Sequence, residues 1–107
     1  MGNFIILPDS RLFLLNGVSK GSAGYGNTSW SINQSFAQDP VLRPAYYDPN
    51  AELGSRFSTN LPSSKIGRLY HSSATLLMDG SVFVAGSNPN ADVVDEKNGG
   101  PDCESSL

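Results

Sequence analysis

Tyr70 and His71 stand side by side in the stretch Arg68 to Leu76, RLYHSSATL, and His71 is the only histidine in the chain. A phenol and an imidazole can both donate to a transition metal, and a phenol can also take up a substrate proton. Two donors do not make a metal site, and no second imidazole is present to supply another nitrogen. The pair therefore reads as a packed aromatic couple or as one half of a metal site whose other ligands lie elsewhere. Geometry adds a condition. Adjacent side chains on a regular strand point to opposite faces, so both could reach one ion only from irregular backbone. Pro62-Ser63-Ser64 and Gly67, just ahead, are residues from which such a loop can be built.

Other candidates carry less. Asp9 and Asp79 read as turn formers and not as a catalytic carboxylate pair. The Gly21 to Gly26 run, GSAGYG, lacks the lysine and following helix of a phosphate-binding loop and reads as a tight passage between strands. One cysteine, Cys103, excludes an internal disulfide and a cysteine-based zinc cluster, and it receives no role. Arg68 reads as a carboxylate partner, a site-lining residue or a solvated loop arginine. Tyr46 and Tyr47 read as sheet packing. Two glycosylation acceptor sequences, at Asn27 and Asn33, are compatible with a secretory origin without proving it.

The elements that must position Tyr70 and His71 are strands. Phe4 to Leu7 runs through Pro8-Asp9-Ser10 into Arg11 to Gly17, and Ala74 to Leu77 runs through Met78-Asp79-Gly80 into Ser81 to Ser87. These predict hairpins near 4–17 and 74–87. They superpose without gaps at an offset of 70, pairing Leu7 with Leu77, Asp9 with Asp79 and Phe13 with Phe83, which reads as an internal repeat. Leu12 to Leu15 and Val82 to Ala85 are apolar at nearly every position, as strands buried on both faces are. Sheets stacked on each side, as in a β-propeller, satisfy such strands. A shorter strand pair is predicted near 41–58, with Pro44 placing its first strand at an edge. Residues 91–107 form an acidic tail expected to be disordered.

Composition closes off several classes. The chain has 107 residues and a net charge of −3, with 11 glycines and 7 prolines. From Asp92 onward five acids face one base, while the remainder is close to neutral. No basic cluster is available to meet a phosphate backbone, so nucleic acid is not expected as a partner. No apolar run approaches the roughly 18–20 residues that cross a bilayer, so no membrane is expected. The opening MGNFIILPDS lacks the charged and apolar regions of a signal peptide. No window sustains a helical apolar pattern. The expected class is all-β, with antiparallel four-stranded blades amounting to about two blades of an incomplete propeller.

Three quoted pieces, in this order, carry a family resemblance: FIILPDSRLFLLNG with the following GSAGYG, then PVLRPAYYDPNAELGSRF, then RLYHSSATLLMDGSVFVAGSNPN. Residues 1–90 resemble the glyoxal oxidases, copper radical oxidases related to galactose oxidase. The tail ADVVDEKNGGPDCESSL does not. The resemblance implies a Kelch-type propeller of about seven blades, whose remaining blades are required for a complete fold. It implies one copper ion held by two tyrosines and two histidines, with one tyrosine joined to a cysteine as the radical. In the RLYHS motif the adjacent pair are ligands, so Tyr70 is implied as axial phenol and catalytic base and His71 as an equatorial imidazole. The radical pair and the second histidine have no counterpart in this sequence.

The implied reaction oxidises small aldehydes to carboxylic acids and reduces O2 to hydrogen peroxide, in a parent protein expected to be extracellular. Imidazole and oxygen donors suit Cu(II), and a phenol beside a divalent cation ionises more readily than in water. Two other readings stay open: a non-catalytic Kelch-like binding module, and a truncated fragment without activity of its own.

Overall fold

A computed structural model describes residues 1–26 and 34–87. The first apolar run forms β1 (Asn3–Ile6) and β2 (Leu12–Leu15), paired antiparallel with Ile5 opposite Phe13. Their turn is closed by the Leu7 N–H donating to the Arg11 carbonyl at 2.9 Å and the Ser10 N–H donating to the Leu7 carbonyl at 3.0 Å. The Asp9 carboxylate accepts the Arg11 N–H at 3.1 Å and also takes the Arg11 guanidinium.

Between β2 and the rest of its sheet the chain makes an excursion of nested strand pairs. β3 (Val18–Lys20) pairs with β6 (Gln38–Pro40), and β4 (Tyr25–Gly26) pairs with β5 (Gln34–Ser35). At Gly21, where φ is 85°, the Phe36 carbonyl oxygen fills the place a Cβ would take, so only glycine lets the two arms approach so closely.

The chain then returns to the first hairpin. β7 (Ala45–Tyr47) pairs with β2, and β8 (Phe57–Ser58) pairs with β7, giving a four-stranded antiparallel sheet ordered β1-β2-β7-β8. The expectation that Pro44 marks an edge strand fails. Pro44 precedes the paired residues, so its missing N–H costs no ladder bond, and β7 lies inside the sheet with β8 at the edge. Aromatic pairs fix the register: Phe13 and Tyr46 have ring centroids 5.1 Å apart, and Tyr47 and Phe57 4.9 Å. The Arg11 guanidinium lies over the Tyr46 ring.

The second apolar run forms β9 (Ser72–Leu76) and β10 (Val82–Gly86), again antiparallel, with Val84 opposite Ala74. Its turn repeats the first. The Leu77 N–H donates to the Ser81 carbonyl at 2.8 Å, the Gly80 N–H to the Leu77 carbonyl at 3.0 Å, and Asp79 accepts the Ser81 N–H at 2.9 Å. Ser10 and Gly80 carry matching φ values of 70° and 86°. The repeat of the sequence is thus a repeat of geometry.

β9 lies against β1, whose Ile5 is buried at 6% exposure. Ser72, Ala74, Leu76, Val82 and Val84 on one face of the second hairpin are partly covered, while Phe83 on the other face is 49% exposed. The first sheet has the same asymmetry: Phe4, Ile6 and Phe57 lie exposed on the face opposite Ile5. Covering one such side chain is worth about 1.5–3 kcal/mol, so these faces favour further sheets. The chain is all-β, in small antiparallel sheets with no helix among the described residues, consistent with an incomplete β-propeller.

Both turn carboxylates are held below the ordinary aspartate value, Asp9 first by the Arg11 N–H and Asp79 first by the Ser81 hydroxyl. A folded pKa lower than the unfolded one gives stability that is present above the unfolded value and lost as pH falls through the folded one. The Arg11 and Ser81 amide proton shifts should therefore step together with these carboxyls, at a midpoint below that of an unstructured aspartate. Steps at or above the ordinary value in an NMR titration contradict the turn geometry.

Candidate metal centre

β9 begins only at Ser72, and the backbone bends just before it. The Ser72 N–H donates to the Leu69 carbonyl at 3.4 Å, closing a four-residue turn over Leu69-Tyr70-His71-Ser72. His71, third in the turn, has φ of 62°. A left-handed residue at that position is the mark of a type II turn, usually filled by Gly or Asn. The bend removes the alternation that a strand imposes. The two rings lie stacked, with centroids 3.9 Å apart and planes 26° from parallel. Tyr70 is half-buried and His71 exposed.

Both hairpins converge on this turn. From the first, the Gly17 N–H donates to the Arg68 carbonyl at 2.8 Å, and Asn3 exchanges hydrogen bonds with Ser72: its amide nitrogen donates to the Ser72 carbonyl at 3.4 Å and its amide oxygen accepts the Ser72 hydroxyl at 3.2 Å. Asn16 steadies that amide by donating to the Asn3 oxygen at 2.9 Å. From the second, the Ser87 N–H donates to the His71 carbonyl at 3.3 Å, and the Ser87 hydroxyl accepts the Leu69 N–H at 2.8 Å. Arg68 is a half-buried loop residue whose guanidinium donates to the Gly86 carbonyl at 2.7 Å, clipping the linker to the end of β10.

Sequence reasoning singled out Tyr70 and His71 and missed Asn3, Asn16, Gly86 and Ser87. The offset of 70 contained a signal for three of them, because it pairs Asn16-Gly17 with Gly86-Ser87. All four are left-handed, with φ of 61°, 95°, 76° and 84°. The readings placed on Asn27, Asn33, Cys103 and the 91–107 tail lie outside the described residues.

The donor set is incomplete. Among the described residues no three His, Cys, Asp or Glu side chains are grouped to hold a metal. Tyr70 and His71 supply one oxygen and one nitrogen donor on neighbouring, stacked rings. That fits copper as a half-site, since Cu(II) favours mixed nitrogen and oxygen ligands.

Gly86 is the tightest point of the support. A Cβ there would lie 2.6 Å from the His71 carbonyl oxygen, whereas at Gly54, also left-handed, it would meet nothing within 4 Å. Gly86→Ala should therefore destabilise the chain by about 1–3 kcal/mol more than Gly54→Ala in chemical denaturation. Equal losses would mean that the His71 carbonyl does not press on this position.

The family model described as glyoxal oxidase N-terminus matches residues 1–100. An aldehyde oxidase GLOX of Vitis pseudoreticulata is 40% identical over 90 residues, which are 84% of this chain and 15% of that protein. The aldehyde oxidase GLOX1 of Arabidopsis thaliana is 41% identical over 90 residues, 84% of this chain and 13% of the relative. A WSC domain-containing protein of Arthroderma benhamiae is 41% identical over 83 residues, 78% of this chain and 8% of its own length. No solved structure matches. The chain thus spans less than a sixth of each of these relatives. With the family model covering nearly all of its length, the chain belongs to the glyoxal oxidase N-terminus family.

Proposed function

We propose that this chain is the part of a copper radical oxidase that supplies Tyr70 and His71 to a copper ion, in a protein that oxidises small aldehydes such as glyoxal or methylglyoxal. The stacked Tyr70–His71 pair on a bent turn, within a chain of this family, is the observation that carries the reading. Relatives named aldehyde oxidase support the substrate class. The overall change consumes the aldehyde, water and O2 and yields the carboxylic acid and hydrogen peroxide. The parent protein acts outside the cell, and further propeller blades complete the fold.

When bound, copper together with a Cys-linked tyrosyl radical supplies the one-electron chemistry. The radical pair and the second histidine come from polypeptide other than this chain's described residues. His71 would hold the ion through a ring nitrogen. Tyr70 would hold it through its phenolic oxygen, and the same oxygen would accept the hydroxyl proton of the aldehyde hydrate. Exposure of His71 leaves this side of the pair open to a small substrate. The fixed turn matters here, because a proton acceptor works only within hydrogen-bond reach of the proton it takes.

Copper-loaded full-length protein fed glyoxal should release peroxide. Tyr70→Phe should retain copper but lower kcat by about 10²–10⁴-fold, the usual weight of a proton acceptor. His71→Ala should lose copper on dialysis. A copper-loaded protein that yields no peroxide with any small aldehyde sinks the oxidase reading and favours a propeller that only binds.

A further inference from the structure

The two hairpins end on left-handed backbone at matching positions, Asn16-Gly17 in the first and Gly86-Ser87 in the second. Gly17 closes the first and Ser87 the second, both left-handed, with φ of 95° and 84°. Each donates its N–H to the linker that precedes β9, Gly17 to the Arg68 carbonyl and Ser87 to the His71 carbonyl. Glycine takes a left-handed conformation without steric cost, whereas serine does so against its own Cβ. The second hairpin therefore carries a strained residue where its counterpart shows that glycine suffices for the backbone. What serine adds is a hydroxyl, and that hydroxyl accepts the Leu69 N–H at 2.8 Å.

The consequence lies in where the two bonds fall. Leu69 opens the turn that carries both rings, and His71 is its third residue. Ser87 thus holds the turn on either side of Tyr70: the hydroxyl grips the entry and the N–H grips the His71 carbonyl at 3.3 Å. Arg68 and Gly86 bring the strand end into place, the Arg68 guanidinium donating to the Gly86 carbonyl.

We infer that Ser87 is a positioning residue whose hydroxyl, by holding the Leu69 N–H, keeps the Tyr70 and His71 rings stacked for metal binding. The inference deepens the copper reading and rests on it for its purpose, though not for its geometry. Ser87→Gly separates the parts, because it relieves the backbone, keeps the N–H and deletes only the hydroxyl grip.

Two measurements test this. In metal-free full-length protein, NMR contacts between the Tyr70 and His71 rings should be lost in Ser87→Gly while the cross-strand contacts of β9 and β10 persist. Ring contacts that survive, or that vanish together with those cross-strand contacts, overturn the assignment. In full-length protein, Ser87→Gly should weaken Cu(II) binding about fivefold, the worth of one typical hydrogen bond, and alter the Cu(II) EPR spectrum. A spectrum and affinity identical to those of the parent protein also overturn it. If the parent protein itself takes up no Cu(II), the oxidase reading fails while the metal-free ring contacts still judge the role of Ser87.

Discussion

Neighbouring residues on a pleated strand face opposite ways, and the candidate site exists only because His71 escapes that rule. Its φ of 62° turns the backbone one residue before β9 begins, so that the imidazole comes to rest against the Tyr70 ring. Left-handed backbone in a non-glycine residue costs about 1–3 kcal/mol and persists only where its surroundings enforce it. The surroundings here are hydrogen bonds from both hairpins. A typical one contributes about 0.5–1.5 kcal/mol, so several together are of the size needed to hold the bend.

The doubled hairpin explains how so short a stretch is gripped from two directions. β1 and β9 lie side by side, and the residues that end each hairpin meet the linker at Arg68, Leu69 and His71. Asn3 and Asn16 tie the first hairpin to Ser72, and Arg68 reaches across to Gly86. The joint between the two repeats is where the Tyr70–His71 turn is shaped.

Much of this could be read in the sequence where the signal is local. The hairpin turns announce themselves through Asp9 and Asp79, whose carboxylates cap the residues two places on, and through the apolar runs that flank them. The need for bent backbone at Tyr70–His71 follows from strand alternation once both side chains are to reach one ion. Non-local pairing was not legible. β2 and β7 are joined across an excursion of some thirty residues, and nothing in Ala45 to Tyr47 names its partner. Pro44 suggested an edge because a proline inside a ladder is unfavourable, yet it stands just outside. β3 and β6 in the excursion are mostly polar and exposed, so no apolar alternation betrays them. Asn3 and Ser87 gain their roles only when the hairpins come together, and neither residue type announces such a role by itself.

The most direct test is diffraction from copper-loaded full-length protein, with anomalous data collected at the copper edge. The account predicts a single copper ion bonded by the Tyr70 phenolic oxygen and a His71 ring nitrogen, with Leu69 to Ser72 bent as described. A copper ion bound without both side chains contradicts it. So does a β9 that runs straight back through His71 with the two rings on opposite faces.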